Sequence, residues 1–205
     1  RLCEAEGSMD NLELRDIVVS AVVLAIAFGI AFNGGIERID TFSLGIVIIA
    51  FVAVSLSFIL HELAHRFLAR RYGFYAQYKM WPQGLVIAML FSLLGFVFAA
   101  PGAVMIHPKA DLWGSSQTLT KKKMGLIALV GPLTNIALAG IFTALFILYP
   151  LEIFTLAISI NVWLALFNML PLAILDGAKV FHWNKRIWVI TFAVILAMFA
   201  AAAVL

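Results

Sequence analysis

Long apolar runs alternate with short polar connections along most of this chain. The runs lie at about 17–33, 42–65, 84–106, 124–149, 151–171 and 187–205. Each is close to the roughly 20 residues that a helix needs to cross the hydrocarbon core of a bilayer. The pattern therefore predicts an all-α polytopic membrane protein with about five to six transmembrane helices.

The run at 84–106 is the one least like a spanning helix. It contains the helix-breaking Pro101, and its ends at 85–87 and 104–106 suit extended structure. If it crossed, the basic loops on its two sides would face opposite sides of the membrane, against the positive-inside tendency. We therefore predict that 74–108 enters the membrane and returns on the same side, partly as strands. An ordinary kinked helix is the alternative.

With this assignment five helices cross, the amino terminus is cytoplasmic, and the basic loops lie on the inner side. We interpret residues 9–205 as one integral membrane domain with a core at about 42–180. Residues 1–8 are interpreted as a tag remnant, because Gly7 and Ser8 before Met9 resemble a cloning junction.

Composition supports a membrane protein and excludes other classes. Of the residues, 64% are hydrophobic and 12% are charged, whereas soluble domains are about half apolar and a quarter charged. The net charge of +3 comes from loops between apolar runs, so we expect no nucleic-acid partner. Cys3 is the single cysteine, which excludes an intrachain disulfide and a cysteine-based zinc site.

The candidate chemistry lies in His61-Glu62-Leu63-Ala64-His65, at the end of an uncharged apolar run. Histidines at i and i+4 lie about 6 Å apart on one helix face, so both can bind one metal ion. Glu62 then lies where a general base would accept a proton from the attacking water. Ionisable residues within a membrane span are costly and are usually functional. The pattern predicts a zinc hydrolase site in a bilayer.

A catalytic zinc usually has a third protein ligand. Asp176 is the only acid in an apolar stretch just past the inner end of 151–171, which places it at the depth of both histidines. We favour it as the ligand, although Asp-Gly is also a common turn pair. His107 and His182 border inner loops and are either ligands or interfacial histidines. Asp111 lies in a polar loop, and Glu152 falls on the outer side.

At these residues the chain resembles the site-2 protease family of intramembrane zinc metalloproteases. The resemblance covers about 42–180, most of the chain. The matching positions are His61-Glu62-x-x-His65 with Ala69 and Gly73, then Gly131-Pro132-Leu133-Thr134-Asn135, then Asn168-x-x-Pro171 and Asp176-Gly177.

The resemblance implies one zinc ion per chain, held by His61, His65 and Asp176, with Glu62 as the base. It also implies a three-helix catalytic core, here 42–70, 124–148 and 151–178. The segment 74–108 then forms a small membrane-associated β or re-entrant element beside this core. Asn168 would add an amide donor for the oxyanion.

Two positions depart from the family pattern, and three asparagines can be interpreted in two ways. Ala173 stands where members often have a second proline, and Ala178 where they often have a second glycine. Neither is a ligand, so the chemistry is expected to be intact while substrate fit is in doubt. The three asparagines, Asn168, Asn161 and Asn135, are either functional or form hydrogen bonds between helices. A functional role has less support for Asn161 and Asn135 than for Asn168.

The sequence therefore predicts an intramembrane zinc metalloprotease that cleaves peptide bonds in or near transmembrane segments of membrane proteins. We expect a multi-pass protein of the cell membrane with its site near the cytoplasmic side. An extended substrate would pair with an edge strand from 74–90 or 100–107. The alternatives are a metal or ion transporter and a non-catalytic paralogue with the same His/Asp cluster. The oligomeric state is not predicted.

Overall fold

A computed structural model describes residues 9–37, 44–98, 100–108, 118–172 and 174–202. Within these residues the chain forms mainly helices, with one small sheet. In chain order the elements are α1 (Asn11–Phe32), α2 (Leu44–Arg71), β1 (Phe74–Met80), α3 (Pro82–Ser92), β2 (Gly102–Pro108), α4 (Lys121–Leu148), α5 (Glu152–Asn168), α6 (Asp176–Trp183) and α7 (Lys185–Ala202). Residues 1–8, Asp111 and Ala173, which the sequence analysis discusses, lie outside the described residues.

The predicted class, an all-α polytopic membrane protein, is confirmed. Four helices of the described chain, α1, α2, α4 and α7, are long and apolar enough to cross a bilayer. Helix α5 has 17 residues, or about 25 Å of helix. It runs from the far end of α4 back toward α6, and therefore returns through the bundle.

The segment 74–108 is not a spanning helix, so the kinked-helix alternative is wrong. Strands β1 and β2 pair antiparallel, and this pairing places Phe74 opposite Pro108. The segment therefore begins and ends at the same level of the molecule, with α3 between the strands. The predicted strand character is confirmed for 104–106.

The prediction of extended structure at 85–87 was wrong, because these residues lie within α3. The local signal for a helix is Pro82, which occupies the first turn of α3. Proline is favoured there, since its ring fixes a helical φ and the missing N–H has no partner in a first turn.

Three helices, α2, α4 and α5, contact one another and correspond to the predicted core. The third predicted core helix was too long, because α5 ends at Asn168 and α6 begins separately at Asp176. Pro171 lies in the break, where proline disfavours a helical conformation in the preceding residue. The break lets α6 turn toward the two histidines.

The first helix begins earlier than the apolar run at 17–33 predicts. It starts at Asn11 and so includes Glu13 and Asp16, which precede that run. Both side chains are buried. They contact β1, so the start of α1 lies at the same end of the molecule as the small sheet.

Candidate metal centre

His61 and His65 lie near the carboxyl end of α2 and converge as the sequence predicts. Both side chains are buried, and their Nε2 atoms are 2.9 Å apart. The i, i+4 spacing places them one above the other on the helix face that packs against α4.

Asp176 completes the group from the first turn of α6. Its Oδ2 atom lies 2.8 Å from Nε2 of His65 and 3.4 Å from Nε2 of His61. These three ligand atoms all lie within 4.8 Å of one another. The alternative interpretation of Asp176-Gly177 as a simple turn is wrong, since the pair begins a helix.

Gly177 allows α6 to begin at this position. A Cβ atom on Gly177 would lie 2.5 Å from the carbonyl oxygen of Leu170 and would also collide with the carbonyl of Met169. The absent side chain therefore permits α6 to pack directly on the backbone that follows α5.

Hydrogen bonds on the far side of each imidazole decide which nitrogen is free. Nδ1 of His61 bonds to Oδ1 of Asn135, and Nδ1 of His65 lies 2.6 Å from the carbonyl oxygen of Ile127. These oxygens only accept hydrogen bonds, so each Nδ1 carries the proton and donates it. In the neutral imidazoles both Nε2 atoms then present lone pairs to the centre.

This arrangement fits a metal ion. Two Nε2 lone pairs and a carboxylate oxygen, all acceptors, face one another at 2.8–3.4 Å. Ligands about 2 Å from a tetrahedral zinc are separated by about 3.3 Å, close to the observed distances. Two imidazoles and one carboxylate are also a donor set typical of catalytic zinc. These residues can therefore hold one zinc ion.

Gly131 of α4 makes room for the two imidazoles. A Cβ atom there would lie 2.6 Å from Nε2 of His61 and would overlap the ring of His65. The sequence identified Gly131 as part of a motif but did not predict its contact with the two imidazoles. That reason depends on how α4 crosses α2, which no local pattern reveals.

The second oxygen of Asp176 also has a partner. Nζ of Lys179, one turn later in α6, donates to Oδ1 at 3.0 Å. This charge-assisted hydrogen bond favours the ionised carboxylate, the form that a metal ligand needs. The sequence treated Lys179 only as a basic loop residue.

Glu62 and Asn168 line the same cavity as the metal centre. The cavity has a volume of about 460 Å³ and is also lined by His61, His65, Asp176 and part of β2. The Glu62 side chain is buried, and its Oε2 atom has no hydrogen-bond partner among the described residues. A buried carboxylate oxygen without a partner is costly. This oxygen is therefore free to accept a proton from a molecule that enters the cavity.

Asn168 donates one Nδ2 hydrogen bond to the carbonyl oxygen of Leu164 at 2.9 Å, within its own helix. Asn135 and Asn161 form the expected bond between helices, at 3.0 Å. The bond from Asn135 to His61, however, was not anticipated by the sequence.

The other candidate ligands lie elsewhere. His107 and His182 are exposed and do not belong to the metal cluster, and Glu152 is exposed at the start of α5, the end remote from Asp176.

One comparison with known proteins gives a close relative. The chain is 41% identical over 186 residues to a protein of Methanocaldococcus jannaschii named "putative zinc metalloprotease", and the match covers 87% of each chain. No protein-family model matches the chain, and no solved structure matches it.

Proposed function

The chain belongs to the zinc metalloprotease family of this relative, and we propose that it is an intramembrane protease of the site-2 protease type. In this proposal it hydrolyses peptide bonds in or near transmembrane segments of membrane proteins. The observation that carries the proposal is the His61, His65 and Asp176 cluster next to Glu62 on an apolar helix long enough to span a bilayer.

The cofactor is a single zinc ion, and His61, His65 and Asp176 are its proposed ligands. When bound, zinc supplies a Lewis acid that makes water more acidic and polarises the carbonyl of the peptide to be cut. Asn135 and the Ile127 carbonyl keep both imidazoles in the tautomer that offers Nε2.

The proton is moved by Glu62. Its unpartnered Oε2 accepts a proton from the attacking water and then delivers it to the amine that leaves. Asn168, on the wall of the same cavity, donates an amide hydrogen to the oxygen of the tetrahedral intermediate.

We propose the inner side of the cell membrane as the location of the site. Arg70 and Arg71 end α2, three lysines begin α4, and Lys185 and Arg186 begin α7. Their clustering at the end of the molecule that holds the metal centre supports a cytoplasmic orientation. His61 lies ten residues before Arg71, or about 15 Å along the helix, so the site is submerged but near the inner surface.

Strand β2 is the proposed guide for the substrate. It lines the cavity together with the metal centre, and an extended peptide can add to a free strand edge through main-chain hydrogen bonds. Strand pairing also keeps the target peptide unwound, so that its carbonyl can reach the centre.

The test is cleavage of a reconstituted membrane-protein substrate by wild type and by Glu62→Gln. We expect Glu62→Gln to lower kcat by at least about a thousandfold, since the base is lost, while one zinc per chain is retained. The matched control is Glu152→Gln, at an exposed position remote from the centre, which leaves kcat unchanged. Cleavage that survives Glu62→Gln or removal of zinc by a chelator would exclude this mechanism.

A further inference from the structure

The outer edge of β1, the edge that faces away from β2, is covered by side chains of α1 and α2. We propose that Glu13 and Asp16 are positioning residues, which cover this edge in place of a third strand and leave β2 as the edge that receives the substrate. This proposal rests on the proposed function, because it specifies how that substrate would be directed to the metal centre.

The hydrogen bonds of β1 show which of its groups point outward. The N–H of Tyr78 donates to Oε1 of Glu13 at 3.0 Å, and the N–H of Met80 donates to Oδ2 of Asp16 at 3.3 Å. Both groups therefore point away from β2. On the same edge, the carbonyl of Ala76 accepts from Nη2 of Arg70 at 3.3 Å.

One face of α1 is matched to this edge. Glu13, Asp16 and Ser20, spaced i, i+3 and i+7, lie along one side of the helix. The Oγ atom of Ser20 accepts a hydrogen bond from the Tyr78 hydroxyl at 2.9 Å. Burial raises the pKa of Tyr78, so this hydroxyl stays protonated and donates.

The buried carboxylate of Glu13 also has a cationic partner. Its Oε2 atom lies 3.1 Å from Nη2 of Arg66, the residue next to His65. Glu13 therefore connects three elements: α1, the outer edge of β1 and the helix that carries both histidines.

The register of the sheet determines where the N–H groups of β2 point. Tyr78 is opposite Val104, and Met80 is opposite Gly102. Directly opposed residues in an antiparallel pair either exchange both hydrogen bonds or neither. Because Tyr78 and Met80 use their N–H groups elsewhere, Val104 and Gly102 direct theirs away from β1, toward the second edge.

The covered edge determines where a peptide can add to the sheet. An exposed strand edge can pair with another extended chain, and a two-stranded sheet has two such edges. With the outer edge of β1 covered, an incoming peptide adds to β2, whose residues Gly102, Val104 and Ile106 line the cavity of the metal centre. A peptide on the outer edge of β1 would instead lie three strand spacings, about 14 Å, from one on the outer edge of β2.

The test compares Asp16→Leu, which removes the acceptor, with Asp16→Asn, which keeps an oxygen in its place. Loss of Asp16 removes the acceptor of the Met80 N–H and the partner of the well-exposed Arg15. The bonds of Glu13 to Tyr78 and of Arg70 to Ala76 remain, so the fold is expected to survive. In the detergent-solubilised zinc enzyme, hydrogen–deuterium exchange at the Met80 amide should be about tenfold faster in Asp16→Leu. Asp16→Asn should stay near the wild-type rate.

Cleavage measures the positioning role. We expect Asp16→Leu to raise KM for the membrane substrate several-fold with kcat changed less than twofold and zinc content unchanged. Asp16→Asn should restore KM. Asp10→Asn, which removes an exposed acid at the start of α1, serves as the matched control and should change neither exchange nor KM.

Two results would overturn the proposal: unchanged exchange at Met80 in Asp16→Leu, or faster exchange with an unchanged KM. Glu13→Gln gives a second measurement of amide exchange and KM. It keeps an acceptor for the Tyr78 N–H but weakens the ion pair with Arg66. Failure of the proposed function would look different, because wild-type protein would then cleave nothing while the exchange difference persisted.

Discussion

The metal centre depends on residues whose importance comes from their neighbours in space. His61, His65 and Asp176 were predicted because their side chains have ligand chemistry and an uncommon spacing in an apolar context. Asn135 and Gly131 have no such signal, since their roles follow from the rotation of α4 against α2. An asparagine and a glycine in a membrane helix are usually explained by packing or by bonds between helices.

Gly131→Ala should disrupt the centre, because the added methyl group would occupy the space of both imidazoles. We expect zinc affinity to fall by at least about a hundredfold, measured by competition with a chromogenic chelator, with cleavage lost in parallel. Gly140→Ala is a strict control on the same helix, since a Cβ atom there meets nothing within 4 Å. A variant at 131 that binds zinc like wild type would contradict the assigned ligand geometry.

Asn135→Leu removes the acceptor that fixes the His61 tautomer. Partners of this kind typically account for about 10–100-fold in metal affinity, so we expect a loss in that range with the fold retained. Thr134→Val is the control, because the Thr134 hydroxyl donates to the Val130 carbonyl of its own helix. Equal zinc affinities in the two variants would show that Asn135 serves packing alone.

Among the elements, the long helices were predictable and the short ones were not. Apolar runs near 20 residues locate the ends of α1, α2, α4 and α7 to within six residues, because the bilayer sets one length for all of them. The segment 74–108 mixes two strands and a helix that are held by one another and by α1. Apolar periodicity cannot separate a short buried strand from a short buried helix, which explains the error at 85–87.

Proline substitutions at neighbouring positions of β2 should have different effects. At Val104 the N–H points away from β1, so Val104→Pro should leave the sheet intact. It removes a donor to the incoming peptide and should therefore reduce cleavage by at least about tenfold. At Met105, which is opposite Gln77 in the ladder, Met105→Pro removes a bond between the strands and should lower the thermal unfolding temperature. Equal unfolding temperatures and equal cleavage at both positions would count against strand addition by the substrate.

At the scale of the whole molecule, the fold brings the chemistry and the positive charge to one end. The carboxyl end of α2 and the amino ends of α4 and α7 meet near α6, and the start of α1 joins them through Glu13 and Arg66. The sequence predicted a shared side for the basic loops from the apolar runs, the helix-breaking run at 84–106 and the positive-inside tendency. It could not predict that acids of α1 would be buried there, because their partners are main-chain groups of a distant strand.

This arrangement predicts which residues a membrane-impermeant thiol reagent reaches from each side. In a Cys3→Ser background, cysteine at Tyr75 or Arg186, both exposed at the catalytic end, should be labelled only from the cytoplasmic side of oriented vesicles. Cysteine at Tyr149, exposed beyond α4, should be labelled only from the opposite side, since the 28 residues of α4 span about 42 Å. Labelling of positions 75 and 149 from one side would show that α4 does not cross, and the submerged position proposed for the metal centre would then fail.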